Sequence, residues 1–270
     1  TVDVAMNSQY QWSDTTVLNY SVGVKQRAAS YQERYLWVPM QATGGLADGK
    51  TYVGNINLDA ETAYQLDLGI SYELNGFSIA PHIFYQQIDD YIQGTPSTDM
   101  RVKMIAGMMG DATPLAFTNI DAQLYGADIN WQLPINEHFK LSGVASYVRG
   151  TRDDNDDDLY RIMPLNARFN LNYQQDNWQS NLAVHFYHKQ SHVSQLNNEE
   201  VSKGYAVIDW QADYFISSGL VARLGINNLL DKQYNDHLNG INRAAGSDVA
   251  VGDKMPAMGR NIYLAFDYQF

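Results

Sequence analysis

Strict alternation of apolar and polar residues, repeated in segments of about ten, most narrows what this chain can become. At the C-terminal end Ile262, Leu264, Phe266, Tyr268 and Phe270 occupy every second position. A period of two places all five on one side of a β-strand. Tyr64, Leu66, Leu68, Ile70 and Tyr72 alternate in the same way with Gln65, Asp67, Gly69 and Ser71. So do Leu165, Ala167, Phe169, Leu171 and Tyr173 with Asn166, Arg168, Asn170 and Asn172. A strand with one wholly apolar face and a terminal aromatic residue suits a barrel whose outer side meets lipid and whose inner side is polar.

Eleven such strands are predicted, over residues 2–12, 16–27, 64–73, 77–92, 117–133, 139–151, 165–174, 178–189, 205–216, 220–229 and 262–270. The connections between them alternate short and long. Ser13-Asp14, Asn75-Gly76, 134–138, 175–177 and Ser217-Ser218-Gly219 are tight. Residues 28–60, 93–116, 152–164, 190–203 and 231–260 are long. Short turns at one end and long loops at the other are the habit of transmembrane barrels. Asn75-Gly76 predicts a type I′ turn, because both positions tolerate positive φ. Pro81 predicts a bulge or a non-bonding position in its strand. Strands this long exceed the usual five or six residues and match a tilted bilayer crossing. The fold class expected is therefore all-β, an antiparallel transmembrane β-barrel portion of about eleven strands.

Composition supports this reading and removes others. A net charge of −12 gives no basic surface for nucleic acid. There are no cysteines, so neither disulfides nor thiolate metal sites. Nineteen Tyr and five Trp suit membrane interfaces. No run of 18 apolar residues is present, so no transmembrane helix is predicted. A mean hydropathy of −0.37 is compatible with a barrel that has a polar lumen and long loops. The competing fold is a soluble antiparallel β-domain, which also has one polar face. No nucleophile elbow, phosphate loop or zinc-protease motif occurs, and the chain is read as a non-enzyme without a cofactor.

Three stretches carry a family resemblance. Ile226-Asn227-Asn228-Leu229-Leu230-Asp231-Lys232-Gln233-Tyr234, with His237 following, resembles the penultimate-strand motif of TonB-dependent outer-membrane receptors. Pro256-x-x-Gly259-Arg260 and the final strand to Phe270 resemble that family's closing signature. Asn55-x-x-Leu58-x-x-Glu61 resembles its entry to a mid-barrel strand, with Ile56 where proline is usual, and Asp89-x-x-Ile92 fits the strand that follows. The resemblance implies a 22-stranded barrel around an N-terminal plug. Residues 1–270 would be its C-terminal part, with the plug and the TonB box upstream of this chain. It implies a Gram-negative outer-membrane location and TonB-energised uptake of a scarce metal or metal chelate, siderophore or copper. The partners implied are outer-membrane lipid, the plug, the TonB complex and the metal ligand. A passive porin-like or adhesin-like barrel is the alternative.

Candidate ligand-binding residues lie in the long connections. Met100, Met104, Met108 and Met109 share one loop, and thioethers are soft ligands that select Cu(I). Packing is the other use of such methionines. Tyr35, Trp37 and Tyr52 could stack on a chelate or pack their own loop. Arg168 and Arg223 face the lumen by alternation, to contact a plug or anionic ligand or to pair with lumen carboxylates. His185 and His188 point to opposite strand faces, so a shared metal with His192 requires a bulge. Asp153, Asp154, Asp156, Asp157 and Asp158 lack the glycine and glutamate of an EF-hand and predict a solvated loop that weakly holds divalent cations.

Overall fold

Because each strand is joined to the next by a tight turn or a single loop, an antiparallel meander is the simplest sheet. The computed structural model shows one. It describes residues 2–36, 40–41, 48–242 and 244–269, with the side chains of 40 and 41 excepted. In chain order the elements are β1 (Val4–Ser13), β2 (Thr16–Arg27), α1 (Tyr31–Tyr35), β3 (Met40–Gln41), β4 (Thr51–Val53), β5 (Glu61–Leu74), β6 (Phe77–Pro96) and α2 (Met100–Met108). They continue with β7 (Leu115–Pro134), β8 (Phe139–Arg152), β9 (Asn166–Gln175), β10 (Trp178–Tyr187), β11 (Tyr205–Ser217), β12 (Leu220–Asn227) and β13 (Asn261–Tyr268). Among the described residues, eleven long strands pair in the order β1-β2-β5-β6-β7-β8-β9-β10-β11-β12-β13. β3 and β4 lie off this path, and β4 adds in parallel to the loop-side end of β7. The sheet is open, with β1 and β13 at its two ends.

The pairing registers show what the alternation achieves. Leu133, Leu141, Leu171, Leu182, Trp210, Ile226 and Ile262 are successive partners across seven strands, a continuous apolar row. One residue further along, on the opposite face, Lys140, Asn172, Asn181, Gln211, Gly225 and Tyr263 form the corresponding polar row. A one-residue slip would exchange the two rows, so the pattern fixes the register. The apolar residues remain uncovered: Ile262 is 63% exposed, Leu264 64% and Phe266 64%. An apolar surface this extended is unsuited to water and suits contact with hydrocarbon.

Local details follow from residue chemistry. Asn75 and Gly76 have φ of 51° and 80°, as a type I′ turn requires. Pro81 takes the second of its two expected forms, a non-bonding position rather than a bulge. It keeps register with Ile129 of β7, while the β5–β6 ladder omits the pairs between Gly69↔His82 and Tyr72↔Ile79. The missing amide thus opens a two-residue gap toward β5 without a shift. The bulge of β6 lies between Ile88 and Tyr91, at Asp90, whose φ is 59°. β6 and β7 each extend beyond the predicted bounds, because Tyr91–Pro96 and Leu115–Ile120 pair with each other past the bulge.

Candidate functional site

The long connections all leave one end of the sheet, and backbone groups there must find partners outside the ladder. They find them in one another. β4 brings Tyr52 onto Leu115, Phe117, Ile92 and Leu58, the apolar core of this end. Tyr52 and Phe117 stack with ring centroids 5.2 Å apart. Asp48, buried, accepts hydrogen bonds from the Tyr52 hydroxyl at 2.5 Å and the Tyr160 hydroxyl at 2.9 Å. Arg161 donates through Nη2 to Leu238 O at 2.8 Å, and its amide donates to Glu199 Oε1 at 3.0 Å. His237 contacts Glu199 Oε1 at 3.1 Å and Ser202 Oγ at 3.0 Å. Asn197 Nδ2 donates to Gly94 O at 2.8 Å. The segments around 48, 94, 160, 197 and 237 therefore interlock.

Each motif read from the sequence anchors this end. Glu61 receives Arg27 Nε and Nη2, both at 2.6 Å, and the amide of Ile92 at 2.8 Å. Asn55 Nδ2 donates to Phe117 O at 3.2 Å, and Leu58 is buried. Ser30 and Glu33 form a capping box on α1, and Glu33 also pairs with Arg27 at 2.9 Å. Asn228, buried with φ 52°, holds Lys232 and Met258, and the amide of Leu229 donates to Ile208 O at 2.7 Å. Asp231 accepts the amide of Arg260 at 2.9 Å, close beside Gly259. Tyr234 packs on Tyr205 with centroids 4.3 Å apart and accepts at its carbonyl from Ala257, next to Pro256. Phe270 and Trp37 lie outside the described residues.

The methionine segment is a helix rather than an irregular loop. Asp99 caps α2 by accepting the amide of Arg101 at 2.8 Å. Steps of four residues place Met100, Met104 and Met108 in one stripe. They are 73%, 64% and 75% exposed, while Val102 and Ala106 are buried on the other side. Met109 is the C-terminal cap. Tyr35, exposed, ends α1 with its ring 5.2 Å from Tyr31.

On the lumen face, Arg223 pairs with Asp213 at 3.0 Å and Asp267 at 3.2 Å, and Gln179 and Gln211 also donate to Asp213. Arg168 donates to Asn170 at 3.0 Å. His82, which alternation alone did not single out, lies between Asp128 at 2.9 Å and Asp67 at 3.4 Å. The histidines of 185–192 are dispersed: His185 pairs with Asp209, His188 with Lys189 O and His192 with Asp158. Among the described residues no group of three His, Asp or Glu is placed to hold a metal. The acidic segment is bonded rather than freely solvated. Asp157 accepts from Ser194, Gln195 and Leu196, Asp154 from Arg152 and Asp153 from Gln87.

Burial, and then the charge of Asp48, push the phenols of Tyr52 and Tyr160 far above their ordinary value. A raised phenol pKa means stability that is complete below the unfolded value of about 10 and lost as pH climbs past it. The loop core is thus expected to hold to about pH 10 and to loosen above it. Asp48→Asn should bring the titration of both phenols down. Tyrosinate absorbance against pH reads both, and ordinary titration of both tyrosines in the folded protein would overturn it.

These features define a class: the wall of a membrane-type β-barrel, apolar outside and polar inside, roofed at one end by interlocked loops. The chain belongs to the TonB-dependent receptors, since the family model for the TonB dependent receptor-like beta-barrel matches residues 6–229. It is 26% identical over 215 residues to the ferric enterobactin receptor PirA of Pseudomonas aeruginosa, covering 72% of this chain and 26% of that protein. It is 26% identical over 184 residues to the vitamin B12 transporter BtuB of Photobacterium profundum, covering 67% and 28%. The solved copper transporter OprC superposes with a TM-score of 0.83 at 21% identity, over 99% of this chain and 39% of that one. The chain thus spans well under half of these proteins. The relatives are receptors and transporters, not enzymes.

Proposed function

We propose that this chain is the C-terminal part of an outer-membrane receptor that takes up a scarce metal or metal chelate with energy supplied through TonB. The whole receptor comprises a 22-stranded barrel around a plug, with this chain as the half whose loops receive the ligand. The observation that carries the reading is the interlocked loop roof above a polar lumen wall. It is a hydrogen-bonded reception surface on a sheet whose other face is apolar. A passive pore has no need of such a roof. The plug covers the lumen carboxylates and the Arg223 cluster, and the TonB complex acts on the plug.

The methionine stripe of α2 favours a soft metal as the cargo. Thioethers are neutral and polarizable, so they hold Cu(I) while ignoring the hard cations abundant outside a cell. Met109 follows the stripe in the same connection, and Tyr35 and Trp37 belong by sequence to the separate long connection 28–60. Changing Met100, Met104 and Met108 together to Leu conserves volume and leaves the fold unchanged, because all three are exposed. Uptake of copper by cells carrying the full receptor is expected to fall at least fivefold, with ferric-siderophore uptake unaffected. Undiminished copper uptake would return a ferric chelate to first place as the cargo.

A further inference from the structure

β8 outruns β9. Their ladder ends at Ser146↔Asn166, whereas β8 remains paired with β7 as far as Arg152. The strip from Tyr147 onward therefore borders a crevice whose far wall is formed by the segments 158–165 and 188–192. A cavity of about 220 Å³ occupies it, lined by Tyr147, Arg149, Asp158, His188, Lys189 and His192 among others. Its side of the sheet follows from register. Leu141 belongs to the apolar row, so the odd-numbered residues of β8 share that face, and Arg149 lies directly across from Tyr125.

The charge here runs against the rest of the molecule. In a chain of net charge −12, an arginine, a lysine and two histidines gather around a single carboxylate. Asp158 stands 3.4 Å from Arg149 Nε and 3.6 Å from His192 Nδ1. Neither Arg149 Nε nor Asp158 Oδ1 completes a hydrogen bond, although both are buried. His188, Lys189 and His192 are exposed. Immediately toward the middle of the strands the surface turns apolar. Leu165, whose carbonyl accepts the amide of His188 at 2.8 Å, is exposed, as are Phe186 and Phe169.

A cationic recess bordering an uncovered apolar strip is complementary to an amphiphile with an anionic head. We infer that this crevice binds the phosphorylated headgroup of a glycolipid of the outer leaflet. Arg149, Lys189 and the two histidines face the phosphate, and Leu165, Phe169 and Phe186 lie under its acyl chains. Guanidinium and ammonium groups are suited to phosphate oxygens, and a basic cluster at the membrane surface adds attraction for anionic lipid. The inference rests on the outer-membrane reading above.

The test uses the full receptor purified in detergent and incubated with bisphosphorylated lipid A, with its dephosphorylated form, or with inorganic phosphate, and read by native mass spectrometry. The wild type is expected to retain bisphosphorylated lipid A and to lose it in the His188→Gln, Lys189→Gln, His192→Gln variant, by about fivefold or more in affinity. Those three residues are exposed, so the barrel should remain folded, as its resistance to SDS without heating would show. Arg149→Gln is the second variant and is expected to weaken retention further. Equal retention by wild type and variants, or equal binding of dephosphorylated lipid, overturns the inference. Displacement by millimolar inorganic phosphate reassigns the recess to a free anion and likewise overturns it. Recovery of the receptor from the outer-membrane fraction, with lipid retention unaltered by the variants, would defeat this inference alone. Its absence from that fraction would defeat the location itself.

Discussion

Asn228→Ala is expected to cost about 3 kcal/mol of barrel stability. Asn228 Oδ1 accepts the amide of Lys232 at 2.8 Å, and its Nδ2 donates to the carbonyls of Lys232 at 2.9 Å and Met258 at 3.3 Å. The residue is buried, so alanine leaves several polar groups there without partners. Its backbone, at φ 52°, also lies where alanine is disfavoured by about 1 kcal/mol. Asn228→Gly relieves only the second cost and should recover about 1 kcal/mol. The temperature at which the folded band converts to the unfolded one on SDS gels reports both. An unchanged midpoint for Asn228→Ala would show that the motif does not bind the last long loop to the rim.

Gly126→Ala is expected to prevent assembly. A β-carbon there would fall 2.2 Å from the carbonyl oxygen of Tyr147 and 2.7 Å from the Phe84 ring. The ring could move. The Tyr147 carbonyl belongs to β8, opposite Ala127, and moving it breaks the β7–β8 ladder. Phe84→Ala should therefore fail to rescue Gly126→Ala, which separates a backbone conflict from a crowded side chain. Gly107, with nothing within 4 Å of an added β-carbon, is the control. Gly107→Ala should be neutral or stabilise α2 by up to about 1 kcal/mol. Normal yields of folded Gly126→Ala barrel would refute the argument.

The strands were legible because a sheet with one apolar and one polar face imposes a period of two along every strand. Leu165 to Tyr173 announces both its conformation and its faces. The tight turns were equally legible, since Asn75-Gly76 has few other uses. The helix at Met100–Met108 was not, because only Val102 and Ala106 are buried and so the apolar periodicity is faint. The roof was illegible for a different reason. Tyr160 meets Asp48 across 112 positions, and Asn197 meets Gly94 across 103. Hydroxyls, amides and carboxylates in irregular backbone carry no period that would identify their partners. The motifs marked where the anchors are, at Glu61 and Asn228, without disclosing what they hold. The pairing of His82 with two carboxylates depends on the register of three strands, which no single strand reveals.

On the proposed reading, the roof also sets how such a receptor can change its ligand over time. Asp48 and Glu199 are shared hubs, each holding segments from different loops, so exchanging one loop for that of another receptor strands polar groups in the others. New specificity built there must arrive as a coordinated set of replacements. The stripe of Met100, Met104 and Met108 stands apart from those hubs, and its residues point away from the buried side of α2. Substitutions along it can accumulate one at a time. With the stripe as the proposed cargo contact, the helix is where preference should drift quickly in a lineage of these proteins, while the hubs hold still.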